Sequence, residues 1–254
     1  MPSRRGVAAI NPVAKLAASL LIAVTLALSV DAASALTALA LEIVLLPWAG
    51  LRWGAFWRRT APVWIAAPLA GLTVALYGRA SGQVYLDWLV VHVTDGSLRL
   101  AVVTSVRVLA IALPAVVLFA TVDATELADG LAQLLRLPAR FVLGALAALR
   151  LVGLMRDDWS ALELARRARG VADRGRLRHL AGLAFALFVL SIRRGSALAT
   201  AMEARGFGGD LPRTWARPSP FGAREVLLIV VGAGLAATAV VVAVATGQWV
   251  LIGH

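Results

Sequence analysis

Apolar residues run through this chain in long blocks with short polar breaks, and the blocks set the expected architecture. Leu16 to Val30 and Ala32 to Trp48 are two apolar runs interrupted at Asp31. Each is on the short side of the ~20 residues that span a bilayer. The phrase DAASA after the first run has the small residues of a signal-peptide cleavage site. Apolar sequence resumes at once at Ala32, which favours a tight antiparallel pair of membrane helices turning at Asp31. A third run, from about Ala61 to Tyr77, contains Pro62 and Pro68. A fourth, from about Leu98 to Thr121, contains Pro114, a predicted kink. Between them, Gly78 to Gly96 mixes polar and apolar residues (Asp87, Trp88, His92, Asp95) and reads as an external loop with a partly inserted segment. The last run, from about Glu225 to Thr246, is uniformly apolar, and Gly232 and Ala236 give it one small-residue face for helix packing.

The pattern changes after Thr121. Leu127, Leu131, Leu134 and Leu135 fall at helical spacing behind Asp123 and Glu126, predicting a short interfacial helix ended by Pro138. Two long helical segments follow, Ala139 to Arg169 and Arg176 to Arg205, joined by the turn VADRG. Each would be ~45 Å long at 1.5 Å per residue. Their apolar parts, Phe141 to Met155 and Leu180 to Ile192, are too short for comfortable spans, so both helices are expected at or below the cytoplasmic membrane face. A Pro/Arg-rich linker with Pro212, Pro218 and Pro220 leads into the last run.

The expectation is an all-α polytopic membrane protein. Residues 1–121 hold four transmembrane helices, 122–221 long crossed cytoplasmic helices, and 222–254 a fifth transmembrane helix. Composition agrees: 60% of the 254 residues are hydrophobic and only 15% charged. Soluble domains carry about a quarter charged residues. Of 25 basic residues only Lys15 is lysine, and the net charge is +11. Arginines crowd the start, Arg52 to Arg59 (beside Trp48, Trp53 and Trp57) and Arg136 to Arg224. All these segments fall on one side if the N terminus is cytoplasmic, as expected for a multi-pass protein of the inner (plasma) membrane. Anionic headgroups or acidic protein grooves suit this charge; nucleic acid does not, because its binders need a solvated basic face.

Several chemistries are excluded. There is no cysteine for thiol or disulfide chemistry, and His92, His179 and His254 are too scattered to ligate a metal. Lys15, in NPVAKLAA, does not follow a glycine-rich phosphate loop, so the chain lacks that route to ATP hydrolysis.

One short phrase occurs twice. Ala168-Arg169-Gly170 and Ala204-Arg205-Gly206 close the two long helical segments, 36 residues apart. Singly, each is explained as a helix stop: glycine accepts the left-handed C′ conformation, and arginine suits the negative helix end. The repetition on adjacent helices suggests more, because an arginine fork captures carboxylates in a partner groove. Phe207 would add an apolar anchor, while Glu163 and Arg167 at i, i+4 steady their own helix.

These motifs resemble the EcfT/CbiQ family, the transmembrane coupling subunits of energy-coupling factor transporters. The resemblance covers nearly the whole chain. It includes Asn11-Pro12 with Lys15, VRVLAIALPAVVLFATVDATELADGLAQL, LPARFVLGALAALR, ELARRARG and, most specifically, ATAMEARGFG. It implies a membrane domain plus crossed coupling helices whose two motifs dock on a pair of ABC-type ATPase subunits. Arg169 and Arg205 would be the contacts, with Ala168, Gly170, Ala204 and Gly206 shaping the helix ends. The apolar helix faces would hold a separate substrate-binding membrane subunit that delivers a vitamin or metal ion. No cofactor is implied.

Rival readings are a membrane enzyme acting on a lipid or isoprenoid phosphate and a scaffold binding anionic lipid through its arginines. The first lacks an acidic metal-binding cluster, since Asp157-Asp158 has no mate at useful spacing. The second does not explain the repeated phrase. Finally, Glu42 and Arg107 lie within apolar runs, where a central charge costs ~2.5–3.5 kcal/mol, and are expected to pair inside the bundle.

Overall fold

The computed structural model describes residues 6–29, 31–45, 47, 50, 53–78, 81–88, 91–170, 175–209 and 214–249. Arg4, Arg5, Trp48, Arg52, residues 171–174 of the turn, Pro212 and His254 lie outside them. A 3-10 turn (Gly6–Ala9) precedes α1 (Pro12–Leu28), α2 (Ala32–Leu45) and α3 (Trp53–Tyr77). Strands β1 (Val84–Trp88) and β2 (Val91–Thr94) lead into α4 (Asp95–Phe119) and α5 (Ala124–Gln133). Then come α6 (Ala139–Ala168), α7 (Arg176–Ala204) and α8 (Ala223–Ala245). The protein is an all-α polytopic membrane protein apart from one small hairpin.

Four described helices are long and apolar enough to cross a membrane: α3, α4, α7 and α8. Helices α1 and α2 are apolar but only 17 and 14 residues long. The five expected spans were α1 to α4 and α8. Helix α7 also qualifies by length and composition, although Arg193 and Arg194 interrupt its apolar stretch after Ile192.

The chain divides into two compact units, Met1–Leu127 with Ser219–His254, and Ala128–Pro218. In the first, α1 packs on α4 and α8, α2 packs on the same two helices, and α3 lies along α4. Ile22 and Leu26 of α1, Ala38 of α2, Ala110 of α4 and Leu235 and Ala239 of α8 form its core. Small residues allow the close approaches. A Cβ on Gly232 would sit 3.1 Å from the Ala18 Cβ, so α8 meets α1 where the sequence predicts a small-residue face. On α3, a Cβ on Gly71 would collide with the Ser105 hydroxyl and stand 2.7 Å from the Ala101 carbonyl oxygen of α4. Outward positions such as Ile65, Leu69, Val102 and Leu227 are exposed and apolar, as lipid-facing positions must be.

The turn between α1 and α2 is held locally. Asp31 Oδ2 accepts from the Ser34 N–H at 2.6 Å, and the Ser29 and Ser34 hydroxyls lie 3.0 Å apart. At the start of α3, Trp53 stacks on Phe56 and both meet Trp57 edge-on, with ring centroids 5.8–5.9 Å apart, beside Arg58 and Arg59. Trp53, Trp57, Arg58 and Arg59 are the described members of the arginine and tryptophan cluster that the sequence marks.

The segment expected as a loop is instead an antiparallel β-hairpin, with Asp87 opposite His92 and Trp88 opposite Val91. Thr94 ends it and starts α4: its hydroxyl accepts from the Ser97 N–H, and the Ser97 hydroxyl accepts from the Thr94 N–H. This reciprocal capping box satisfies two amide groups that the helix start would otherwise leave unbonded.

In the second unit, Ala128 and Ala132 of α5 pack with Val142 of α6. Helices α6 and α7 run antiparallel, with Arg166 against His179 and Asp158 against Arg194.

Candidate coupling site

Both Ala-Arg-Gly phrases fold into the same helix end. In each, alanine is the last helical residue and arginine the cap, with φ −88°, ψ 3° at Arg169 and φ −93°, ψ 13° at Arg205. In each, glycine takes the left-handed conformation, at φ 65° for Gly170 and 78° for Gly206. At the second end, the Phe207 N–H donates to the Met202 carbonyl at 3.0 Å and the Gly206 N–H to the Glu203 carbonyl at 2.9 Å. Those two bonds make a complete Schellman cap, with Phe207 and Met202 as its apolar pair. At the first end, the Gly170 N–H donates to the Arg167 carbonyl at 3.0 Å, the equivalent inner bond. The rest of that cap would fall on residue 171, outside the described residues.

The structure sorts the arginines that the sequence crowds together. Arg167 binds Glu163 at 2.5 Å within its own helix. Arg166 reaches across to α7 and donates to the His179 carbonyl at 3.2 Å. Arg169 is exposed and, among the described residues, its guanidinium has no hydrogen bond or ion pair. Arg205 is likewise exposed and, among the described residues, unpaired. Each repeated phrase therefore presents one uncommitted guanidinium at the negative end of a long helix.

Between the first half of α6 and the last half of α7 lies an open groove of about 620 Å³. Leu146, Leu151, Leu198 and Phe207 line it, together with Arg150, Arg194 and Arg205. The outer faces of both helices are also apolar, with Leu149, Phe185 and Phe188 exposed.

Sequence reasoning missed one polar pair. Asp158 receives a bidentate fork from Arg194, the second bond measuring 2.9 Å. The acidic doublet's mate is an arginine on the neighbouring helix, 36 residues away. No local spacing rule reaches that far.

The expected pairing of Glu42 with Arg107 is corrected. Glu42 is 2% exposed, and neither carboxylate oxygen has a hydrogen-bond partner. Arg107 instead donates to the Asp31 carbonyl at 3.0 Å, at the start of α2. Glu42 lies eleven residues further along, about 16 Å up the helix, beyond the reach of that side chain. Lys15 is also buried, its Nζ donating to Thr121 Oγ1 at 2.9 Å. It is thus part of helix packing in the membrane unit rather than a phosphate contact.

The chain matches the family model for CbiQ, described as "Cobalt transport protein", over residues 4–215. It belongs to the CbiQ family. Curated relatives carry the name energy-coupling factor transporter transmembrane protein EcfT. That of Limosilactobacillus fermentum is 30% identical over 68% of this chain and 72% of its own length. That of Brevibacillus brevis is 28% identical, covering 74% of this chain and 72% of the relative. That of Streptococcus equi is 26% identical across 87% of this chain and 86% of the relative. CbiQ and EcfT proteins are transmembrane components of energy-coupling factor transporters and not enzymes, and so is this chain. Among the described residues of this CbiQ-family protein, no group of three or more His, Asp or Glu is placed to hold a metal ion.

Proposed function

We propose that this chain couples two ABC-type ATPase subunits to a separate substrate-binding membrane subunit, carrying ATP-driven motion into uptake of a vitamin or metal ion. The observation that carries the reading is the pair of equivalent helix ends. Each leaves one arginine uncommitted, and at the first end the neighbouring Arg166 and Arg167 are engaged. A guanidinium projecting from a helix end can take a carboxylate bidentately in a partner groove, which a lysine cannot do. Two such ends on one chain suit two copies of a partner. The energy must arrive from outside, because the sole lysine is buried against Thr121. The apolar groove and outer faces of α6 and α7 are the surfaces on which a membrane partner would sit. With the N terminus cytoplasmic, the arginine-rich segments share the side on which ATP is available.

The test is charge reversal. Arg169→Glu and Arg205→Glu should each abolish capture of the ATPase subunits in mild detergent while leaving the protein inserted and folded. Wild-type capture in both variants overturns the reading.

A further inference from the structure

We infer that Asp158, Arg166, Gly182 and Arg194 form a clasp that makes α6 and α7 a single lever. This rests on the coupling function above and concerns how the two arms keep their geometry.

Apolar cement between the arms is scarce. The one buried residue of α6, Val142, packs against α5 rather than α7. On α7, Leu183 is buried at 1% exposure, while Leu180, Phe185, Phe188 and Ile192 are exposed. Burial of apolar surface is also non-directional, so it does not by itself fix the rotation and register of two long helices.

The polar contacts between the arms are directional and sit at two levels. At the first, Arg194 places its two terminal nitrogens on the two oxygens of Asp158. The pair is half-buried, with 38% of the arginine and 17% of the aspartate side chain exposed. A planar fork on a carboxylate fixes rotation as well as distance. At the second level, Arg166 donates to the His179 carbonyl, and its guanidinium lies on Gly182. A Cβ on Gly182 would come within 2.8 and 2.9 Å of the two terminal nitrogens of Arg166. Gly182 is therefore a seat: the absence of a side chain there lets the arginine lie across the helix interface.

Spacing gives the two contacts their mechanical meaning. Asp158 and Arg166 are eight residues apart on α6, or about 12 Å. One contact would leave a pivot, whereas two at that separation oppose both sliding and rotation. Arg166 also lies three residues before Arg169, so the second contact is within a turn of the end that meets the partner. Polar clasping leaves the apolar groove and outer faces open for membrane partners, which an apolar seam would consume.

The chain has no cysteine, so spin labels can be placed without background. Ser160 and Ser196 are exposed, one on each arm, and both tolerate cysteine by size. In the full chain in lipid nanodiscs, the Ser160→Cys/Ser196→Cys pair should give one narrow distance distribution. Asp158→Asn and Gly182→Leu should each broaden it and shift it to longer distance. Arg194→Lys, which keeps the charge without the fork, should give intermediate width. The swap Asp158→Arg with Arg194→Asp should restore the narrow distribution. An unchanged distribution in both Asp158→Asn and Gly182→Leu overturns the clasp, as does a swap that restores nothing. Capture of co-expressed ABC-type ATPase chains separates this from the parent reading. Arg169→Glu should lose capture with a narrow distribution retained, and Asp158→Asn should broaden the distribution with capture retained. Capture by Arg169→Glu and Arg205→Glu would sink the coupling function and leave the clasp standing.

Discussion

Asn11 and Glu225 join the first helix of the membrane unit to its last. The Asn11 N–H donates to Glu225 Oε1 at 3.2 Å, and the other carboxylate oxygen accepts from the Gly222 N–H at 2.8 Å. The Asn11 side chain faces two ways. Its oxygen caps α1 by accepting from the Val13 N–H at 3.0 Å. Its amide nitrogen donates to Ser219 Oγ at 2.8 Å and the Pro220 carbonyl at 2.9 Å. Asparagine is suited to this position because it carries an acceptor and two donors on one short side chain. One residue thereby starts α1 and fixes the entry into α8.

Replacing Asn11 tests that double duty. Asn11→Ala should cost about 1 kcal/mol for the lost cap alone, and more for the lost donors. Asn11→Asp keeps the cap acceptor but turns carboxylate oxygen toward the Pro220 carbonyl and brings negative charge beside Glu225. It should be at least as damaging as alanine. Thermal unfolding in detergent reads both, and an aspartate variant as stable as wild type would refute the two-way role.

The glycines of the repeated phrase separate capping from close approach. Gly170 and Gly206 both have positive φ, yet a Cβ on either would meet nothing within 4 Å. Within this chain only the backbone conformation demands glycine, and alanine should cost about 1 kcal/mol at each helix end. Asparagine tolerates the left-handed region, so Gly170→Asn and Gly206→Asn should recover most helix-end stability. If both asparagine variants keep stability but lose ATPase capture, the glycines also admit a partner's close approach.

Arginine shape should matter beyond charge at the helix ends. Arg169→Lys and Arg205→Lys preserve the cation but lose the bidentate fork. Each should weaken ATPase capture by roughly tenfold or more, because a hydrogen bond to a charged group contributes about 1.5–3 kcal/mol. Unchanged affinity in a binding titration would favour a diffuse electrostatic contact.

Close packing on α3 is sharper than on α8. Gly71→Ala forces the Ser105 hydroxyl aside and crowds the Ala101 carbonyl oxygen of α4. Overpacking of this kind costs about 1–3 kcal/mol. Gly71→Ala with Ser105→Ala should recover only part, because the backbone oxygen at 2.7 Å cannot be removed. Gly232→Ala, 3.1 Å from the Ala18 Cβ, should be milder in the same thermal assay.

Glu42 is a stability liability. Both its oxygens are buried without a hydrogen-bond partner. A buried polar group left unbonded costs about 1–3 kcal/mol, so Glu42→Met should raise the unfolding temperature. A fall instead would show that the carboxyl group makes a contact on which the bundle depends.

Much of the architecture was legible in the residue pattern alone. Apolar block lengths, the extents of α6 and α7, and the helix stops at Arg169-Gly170 and Arg205-Gly206 are all written within a few residues of where they act. Helix periodicity and capping are local physics, decided by atoms three or four positions apart. The tertiary structure alone decided which charges meet. It gave Asp158 to Arg194, Arg107 to the Asp31 carbonyl and Lys15 to Thr121, and left Glu42 without a hydrogen-bond partner. It also placed Arg166 on the His179 carbonyl of the neighbouring helix. The reason is geometric: partners on different helices depend on the rotation and register of each helix against the other. The burial of many side chains at once sets those quantities, and no short stretch of sequence records them.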